Sequence, residues 1–272
     1  MYYNKIHMKN AIIIDGSYYV FYRYHAICMW WSKARREDEP LEAHNSPRCI
    51  EKFKSTFYNK LQEIEKKNKI VDPVRYVAKD CPQRDIWRMA LLPTYKQQRK
   101  NSSYIKLFMK LAYEELFTSD MFQDILKHPH LEADDCAAIT ASHMTSLNSN
   151  THVWIITSDH DYLQLQHPNI SLLNLKGKFL TDHKQCTKDR NVDLKVKIIS
   201  GDKSDNIPSI FPRCGYKTAL KLALNIDLLK TELEKNKEAA QLYTLNTTLI
   251  DFNKIPQKHI QSFKESYTQL FQ

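Results

Sequence analysis

The stretch Ala11-Ile12-Ile13-Ile14-Asp15-Gly16-Ser17 places an acidic residue directly after a short apolar, β-branched run. Runs of this kind are typical of strands that are buried on both faces of a parallel sheet. Two later runs, at residues 74–78 (VRYVA) and 152–157 (HVWIIT), have the same character, and an aspartate follows each of them closely. Because helix-prone segments separate the three runs, their order predicts an α/β fold with a mostly parallel sheet flanked by helices.

Helical periodicity predicts helices after these strands and in the C-terminal region. The predicted helices cover residues 17–26, 51–68 and 132–147, with a loop over residues 32–47 and a short strand over residues 170–174. The region after residue 224 is rich in Lys and Asn, and the sequence assigns it no role. We expect the 272 residues to form one large domain with elaborations.

Acidic residues recur in five short clusters, three of them directly after the predicted strands. The clustered acids are Asp15, Asp80, Glu132, Asp134, Asp135, Asp159, Asp161, Asp202 and Asp205. Ligands of parallel sheets bind outside the carboxyl ends of the strands, where these acids would converge. Carboxylates that converge repel one another unless cations neutralise them, so the pattern predicts bound metal. Helix capping would explain any one cluster alone, but five clusters on one edge favour a metal site.

The ligand types favour a hard divalent ion. All the clustered acids offer oxygen, and no set of His or Cys residues accompanies them, so Mg²⁺ or Mn²⁺ is favoured over zinc. Enough acids are present for two ions, and paired ions about 4 Å apart are the usual arrangement for hydrolysing phosphodiesters. The six cysteines show neither a C-x-x-C pair nor zinc-like spacing, so reduced thiols in an intracellular protein are the simplest account.

The overall charge favours a polyanionic partner. The chain contains 40 Lys+Arg against 31 Asp+Glu, a net charge of +9. A basic body around an acidic pocket suits nucleic acid, and a solvated lysine-rich surface is the alternative. No stretch approaches the ~18 apolar residues of a membrane span, and the N-terminus lacks a signal pattern, so we expect a soluble protein with no membrane partner.

The motifs around the acids resemble the 5′-nuclease family of flap endonucleases and 5′–3′ exonucleases. The nearest likeness is to the phage-type exonucleases and to the 5′-nuclease domain of bacterial DNA polymerase I. The matching stretches are D-G-S at 15–17, P-T-Y-K-Q-Q-R at 93–99, E-A-D-D at 132–135, S-D-H-D at 158–161 and G-D-K-S-D-N-I-P at 201–208. These motifs occur in the family's order and span most of the chain, which is a far stronger signal than any single motif.

This resemblance implies a fold, a substrate and cofactors. It implies a PIN-like sheet, a helical arch at about residues 81–118 and a helix–turns–helix DNA-binding element at about residues 200–224. It implies a monomeric two-metal nuclease of replication or repair that acts on DNA with a 5′ flap, a nick or a free 5′ end, with RNA–DNA hybrid as a further candidate substrate. Two alternatives stay open: a non-catalytic structure-specific DNA-binding subunit and a PIN-like ribonuclease.

The resemblance also implies a role for each matching residue. Asp15, Asp80, Glu132 and Asp134 look like ligands of the first ion; Asp159, Asp161 and Asp202 look like ligands of the second, with Asp135 and Asp205 direct or acting through water. The implied catalytic cations are Lys96, Arg99 and Arg88. Lys96 and Arg99 would share a helical face, since they are three residues apart. The implied DNA-binding residues are Arg84, Tyr95, Lys100, Arg213, Gly215, Lys217 and Thr218.

Some segments depart from the family pattern or match it weakly. The turn over residues 209–215 is one residue longer than the family's glycine-rich turn, which puts the family's K⁺ site in doubt, and we hypothesise that Arg213 contacts phosphate instead. Aromatic residues of the arch segment suit base stacking, although at least half of them are expected in the core. Gln257, Ile260 and Phe263 echo a sliding-clamp-binding peptide, but an ordinary amphipathic helix is the better interpretation. Trp30 and Trp31 are interpreted as an anchor for the following loop.

Overall fold

The computed structural model describes residues 9–98, 104–147 and 150–272. Within these ranges the strands form a five-stranded sheet with the order β3-β2-β1-β4-β5, and every neighbouring pair is parallel. The strands are β1 (Lys9–Asp15), β2 (Val74–Ala78), β3 (Asp124–Leu126), β4 (Thr151–Ile156) and β5 (Ile170–Leu173). The predicted α/β fold is confirmed. The sequence did not predict β3, because a strand of three residues is too short to show a periodic pattern.

Helices cover both faces of this sheet. They are α1 (Gly16–Ala34), α2 (Pro47–Ser55), α3 (Asn59–Asn68), α4 (Ile105–Leu111), α5 (Ala133–Leu147), α6 (Arg190–Ser200), α7 (Tyr216–Leu224), α8 (Ile226–Lys235), α9 (Lys237–Ile250), α10 (Gln257–Ser266) and α11 (Thr268–Phe271). The predicted helix over residues 51–68 is two helices, because side chains of α1 bind the backbone between them. Arg23 donates to Thr56 O (2.6 Å) and Tyr19 donates to Phe57 O (2.5 Å).

The central strand β1 is buried on both faces, as its continuous apolar run predicts. Ile13 lies in a core cluster with residues of α5 and of the C-terminal helices, whereas Ile12 and Ile14 lie in a second cluster with α1, α2 and α3. All three isoleucines are fully buried. Because successive side chains of a strand point to opposite faces, this alternation places one core on each side of the sheet. The packing on both faces therefore holds the carboxyl edge of the sheet in place.

Two sequence interpretations are confirmed at the edges of these cores. Trp31 is buried and donates from Nε1 to Pro40 O (3.1 Å), while Arg48 stacks over the rings of Trp30 and Trp31, so the pair anchors the loop after α1. Phe263 of α10 is fully buried, as expected of an ordinary amphipathic helix. Among the described residues, no helix is both long and apolar enough to cross a bilayer.

The segment at residues 81–118 is less helical than predicted. It contains short 3-10 turns before α4, and α4 continues into a π-helical turn, Ala112–Leu116. The expected helix around Lys96 is wrong: residues 94–98 form a turn in which Lys96 is left-handed (φ +54°). Arg99 and Lys100 lie outside the described residues. Of the six aromatic residues in this segment, Trp87, Tyr95, Phe108 and Phe117 are buried, Tyr113 is half-buried and Tyr104 is exposed, which confirms that at least half are core.

Helices α6 and α7 form a helix–loop–helix unit around residues 201–215. Gly201 is left-handed (φ +66°), and a Cβ atom there would clash with the carbonyl groups of Ile207 and Pro208. Asp202 and Ile207 exchange backbone hydrogen bonds of 2.9 and 2.8 Å, which closes the loop at its base. A separate hydrophobic cluster, centred on Val196, Ile199, Ile210 and Leu222, holds the two helices together.

Candidate active site

The strand ends bring three of the predicted acidic segments together at the carboxyl edge of the sheet. Asp15 ends β1 and caps α1, since its Oδ1 accepts from Tyr18 N (3.0 Å). Its Oδ2 accepts from Thr157 Oγ1 (3.3 Å), which follows the neighbouring strand β4. Asp80, after β2, accepts from Ser17 Oγ (2.7 Å) and from Ala133 N (2.9 Å) at the start of α5. These hydrogen bonds tie the ends of β1, β2 and β4 to one another and to α5.

Most of the remaining acids lie in two compact groups. Carboxylate oxygens of Glu132, Asp134 and Asp135 lie within 4.8 Å of one another, and so do those of Asp161, Asp202 and Asp205. We call these the first and the second carboxylate group. The second group joins a 3-10 turn after β4 to the loop between α6 and α7, although Asp161 lies 41 residues before Asp202 in sequence. The five acidic clusters of the sequence thus meet in one region, and the strand positions predicted this for the three clusters that come after strands.

Arg88 supports the first group from inside the protein. Its guanidinium donates to both oxygens of Asp135 (2.7 and 2.8 Å) and to Glu132 Oε2 (2.8 Å), while its Nε donates to Leu249 O (2.7 Å). The side chain is only 3% exposed. Burial alone would lower the pKa of Arg88, but the charges of Asp135 and Glu132 outweigh it and raise that pKa. The enclosed Arg88 fixes the orientation of Asp135 and Glu132, and its sequence-based assignment as a catalytic cation stays a prediction.

Tyr95 and Lys96 connect the two groups. Tyr95 Oη lies 2.9 Å from Glu132 Oε2 and 3.2 Å from Asp205 Oδ2. Lys96 forms an ion pair with Glu132, and its Nζ lies 3.6 Å from Asp205 Oδ2. Burial and the charge of Glu132 raise the pKa of Tyr95, so the hydroxyl keeps its proton and donates. The assignment of Tyr95 to base stacking is wrong, because its ring is 2% exposed.

Lys197 holds the second group and was not predicted. Its Nζ lies 2.6 Å from Asp161 Oδ1 and 2.6 Å from Asp202 Oδ2. Burial tends to raise the pKa of Asp202, but the charge of Lys197 and hydrogen bonds from Lys197 and Ser204 lower that pKa to about 2. The only sequence signal is a lysine in the last turn of a helix that ends just before the G-D-K-S-D motif.

Three carboxyl groups of the site, those of Asp134, Asp15 and Asp161, have strongly raised pKa values, and burial is the largest cause for each of them. Burial, followed by repulsion from Asp80, raises the pKa of Asp15 from 3.8 to about 7. Burial, followed by repulsion from Asp159, raises the pKa of Asp161 from 3.8 to about 7 despite the nearby Lys197. One ammonium compensates one carboxylate, so the second negative charge beside Lys197 is left unbalanced. Oxygen donors with unbalanced negative charge fit a hard divalent cation.

These pKa values predict how metal ions and pH together control stability. A raised carboxyl pKa means that the folded protein keeps protons which the unfolded chain has lost between about pH 4 and 7, so the stability of the metal-free protein falls across that window. We expect Mn²⁺ to raise the melting temperature by several degrees at about pH 8 and very little at about pH 5. Calorimetric scans at both pH values, with and without Mn²⁺, test this. Equal shifts at the two pH values would contradict it.

The C-terminal end of α9 accepts hydrogen bonds from side chains that hold both carboxylate groups in place, a role that the sequence did not reveal. The Leu249 carbonyl of α9 accepts a hydrogen bond from Arg88, which contacts the first carboxylate group. Gln164 Nε2 donates to Asp161 O (2.9 Å) in the second group and to Ile250 O (3.0 Å) at the end of α9. The helix therefore fixes the turn that carries Asp161 relative to Arg88.

Asn246, one turn earlier in α9, makes a third connection. Its side chain is fully buried, and Nδ2 donates to Ile198 O (2.9 Å) in α6 and to Pro208 O (2.8 Å) in the loop that carries Asp202. This amide therefore holds α6 and the loop at a fixed distance from α9. The sequence shows only an Asn in a helical region, and its two hydrogen-bond partners lie more than 35 residues away in sequence.

The residues predicted to bind DNA are mostly exposed and lie on one unit. Arg213, Gly215, Lys217 and Thr218 are exposed in the loop and the first turn of α7, where Arg213 is left-handed (φ +57°). Arg84 is also exposed, beside Asp85, at the start of the 81–118 segment. Lys100 lies outside the described residues. Exposed cations beside an acidic edge suit a ligand that carries phosphates.

A parallel sheet whose carboxyl edge carries two carboxylate groups defines the class of metal-dependent phosphate-ester hydrolases. The family described as 5′-3′ exonuclease, N-terminal resolvase-like domain, matches residues 10–197, and the chain belongs to this family. The family predicted from the motifs is confirmed, and so is the class of enzyme, a 5′ nuclease.

Individual relatives and solved structures agree with this family. A 5′-3′ exonuclease of Buchnera aphidicola is 26% identical over 244 residues, which cover 85% of this chain and 77% of the relative. A ribonuclease H of Enterobacteria phage T4 is 30% identical over 162 residues, 50% of this chain and 49% of the relative. The crystal structure of the D15 protein of phage T5 with metal ions has a TM-score of 0.68 and 18% identity, and covers 97% of this chain and 100% of that one, which shows a shared fold.

Proposed function

We propose that this chain is a two-metal-dependent, structure-selective 5′ nuclease that hydrolyses phosphodiesters in DNA carrying a 5′ flap, a nick or a free 5′ end. The observation that carries this proposal is the pair of carboxylate groups at the sheet edge, next to an exposed basic helix–loop–helix unit. Relatives with the names 5′-3′ exonuclease, flap endonuclease Xni and DNA polymerase I support it and suggest a role in replication or repair.

The acids divide naturally between two ions. Asp15, Asp80, Glu132 and Asp134 would hold the first ion, and Asp159, Asp161 and Asp202 the second, with Asp135 and Asp205 orienting them or acting through water. Bound Mg²⁺ or Mn²⁺ would neutralise charge on the scissile phosphate and activate the attacking water. The protein keeps the carboxylates in place: Arg88 fixes Asp135 and Glu132, and Tyr95 with Lys96 sets the spacing between the groups.

The helix–loop–helix unit would bind duplex DNA through its backbone. Backbone amides at the start of α7 and the exposed Arg213, Lys217 and Thr218 can contact phosphates without reading bases. Exposed cations of the 81–118 segment, Arg84, Lys106 and Lys110, would contact the 5′ strand, together with Arg99 and Lys100, for which the motif is the only support. Substrate choice would then follow the shape of the DNA end rather than its sequence. A K⁺ ion at the loop and a monomeric state stay predictions, and a sliding-clamp partner is only weakly suggested by Gln257, Ile260 and Phe263.

A panel of labelled substrates tests this function. With Mg²⁺ we expect cleavage near the junction of a 5′-flapped duplex and at a nick, no release of the flap from a 3′-flapped duplex, and no cleavage in EDTA. An RNA–DNA hybrid belongs in the panel because one relative is named ribonuclease H. Binding of the 5′ flap without cleavage in Mg²⁺ or Mn²⁺ would instead support a non-catalytic DNA-binding subunit. Cleavage of single-stranded RNA regardless of its 5′ end would support a PIN-like ribonuclease.

Arg213 provides a separate test of the duplex contact. Arg213→Ala should weaken duplex binding several-fold at moderate salt and reduce the slope of log K against log salt by about 1, because one phosphate contact is lost. Fluorescence anisotropy across a salt series, with Ca²⁺ replacing Mg²⁺, measures both quantities. Lys66→Ala removes an exposed cation of α3, away from the helix–loop–helix unit, and should change neither. An unchanged salt slope for Arg213→Ala would remove this contact from the proposal.

A further inference from the structure

Lys197 occupies the middle of the second carboxylate group. Its ammonium lies at the same distance, 2.6 Å, from an oxygen of Asp161 and an oxygen of Asp202. Those two acids, with Asp205, offer oxygens within 4.8 Å of one another. A divalent ion held by these same oxygens of Asp161 and Asp202 would take the place of the ammonium. An ammonium and a divalent ion cannot both occupy that position.

The two lysines of the site differ in how easily their ammonium groups can move away from the carboxylates. Lys96 has a side chain that is 9% exposed, and its backbone is fixed on both sides: its N–H donates to Asp205 O (2.9 Å) and its carbonyl accepts from Gln83 (3.0 Å). Lys197 is 24% exposed and projects from the last turn of α6 on a flexible four-carbon stem. Rotation about that stem can carry the ammonium into solvent without any change in the helix.

The single ammonium of Lys197 also neutralises only part of the negative charge of the second carboxylate group. When both are ionised, Asp161 and Asp202 carry two negative charges, with Asp205 close by, whereas Lys197 supplies one positive charge. A divalent ion in the same place supplies two. Exchange of the ammonium for the ion is therefore favourable once the ion is abundant, but the ion must first compete with a cation that is tethered to the site and always present.

We propose that Lys197 is an internal counter-cation which holds the second carboxylate group together before metal binds and which the second ion must displace. The inference rests on the two-metal site of the proposed function. It makes the two ion sites unequal: the first ion binds acids whose cationic partners stay in place, and the second ion binds only when Lys197 swings away. Removing the charge of Lys197 while keeping its length should therefore tighten the second site and leave the first unchanged.

Mn²⁺ titrations without DNA test this inference. Lys197→Met should tighten the weaker of two Mn²⁺ dissociation constants at least about tenfold, as measured by calorimetry and by the electron paramagnetic resonance of free Mn²⁺. The metal-free variant should melt at a lower temperature than the wild type, because Asp161 and Asp202 then repel each other without compensation. Lys197→Arg keeps the charge and should bind Mn²⁺ as the wild type does. Lys195→Met, two residues earlier on α6, is the matched control and should change neither quantity.

The possible outcomes distinguish a failure of this inference from a failure of the proposed two-metal site. An unchanged or weaker second constant in Lys197→Met would overturn the inference, because lysine and ion would then bind side by side. If the wild type binds fewer than two Mn²⁺ ions, both the two-metal site and the inference fail. If Lys197→Met does not fold without metal, Lys197→Gln, which keeps a polar end, provides the same comparison, and the same tightening is expected.

Discussion

Replacing Asp134 and Asp159 together by Asn should lower the rate of 5′-flap cleavage by at least about 10³-fold, since the variant loses one anionic ligand of each ion and several kcal/mol of transition-state stabilisation. The fold should survive. Asp134 Oδ1 accepts from Asp135 N (2.8 Å), and Asp159 Oδ1 accepts from Asp161 N (2.9 Å). The amide oxygen of Asn can accept both bonds, so the change removes charge and little else.

Single-turnover cleavage of a flapped duplex at saturating Mg²⁺ measures this effect. The matched control is Asp38→Asn/Asp227→Asn, which removes two exposed acids outside both carboxylate groups and should cleave at the wild-type rate. Binding of the same DNA should stay within a few-fold of the wild type in both variants. If the Asp134/Asp159 variant retained a tenth of the activity, the carboxylate groups would not be the catalytic centre.

The second large effect is on stability, and it concerns Arg88. We expect Arg88→Met to lower the free energy of unfolding by about 3–5 kcal/mol, because it leaves Asp135 as a buried charge without its cation and leaves Glu132 with Lys96 alone. Methionine fills a similar volume, so the loss reflects charge and hydrogen bonds rather than a cavity. Urea denaturation monitored by tryptophan fluorescence gives the value. Arg84→Met, four residues earlier and 87% exposed, should change stability by no more than about 0.5 kcal/mol.

A double variant tests the mechanism of that loss. If the cost of Arg88→Met arises from an uncompensated carboxylate, adding Asp135→Asn should recover part of it, since the amide carries no charge. Simple addition of the two single effects would indicate that Arg88 and Asp135 stabilise the protein independently. The bidentate contact of 2.7 and 2.8 Å makes strong coupling the expected result.

The carboxyl edge of the sheet was predictable because parallel strands place their last residues at the same side. Asp15 ends β1, Asp80 follows β2 by two residues and Asp159 follows β4 by three, so recognising the strands was enough to bring these acids together. The grouping of Asp202 with Asp161 came from the family motif instead, because nothing local relates the loop after α6 to the turn after β4.

The surroundings of the acids could not be predicted, because long-range contacts create them. Lys197, Gln164 and Asn246 look like ordinary polar residues of helices and turns, and only the packing of α6 and α9 against the sheet gives them partners. The spacing of Lys96 and Arg99 predicted a shared helical face, but Lys96 is left-handed and lies in a turn, where both Lys96 and Tyr95 are buried. A periodic pattern does not reveal a single residue with positive φ.

The contacts of α9 also bear on when the site forms during folding. Arg88 and Leu249 are separated by 161 residues in sequence, and Gln164 and Ile250 by 86. Contacts between such distant residues close large loops and therefore form slowly. We expect the sheet and its flanking helices to be in place before these bonds lock the two carboxylate groups at their final spacing. Hydrolytic activity would then be the last property that the chain acquires, and a partly folded chain would have little capacity to cut DNA.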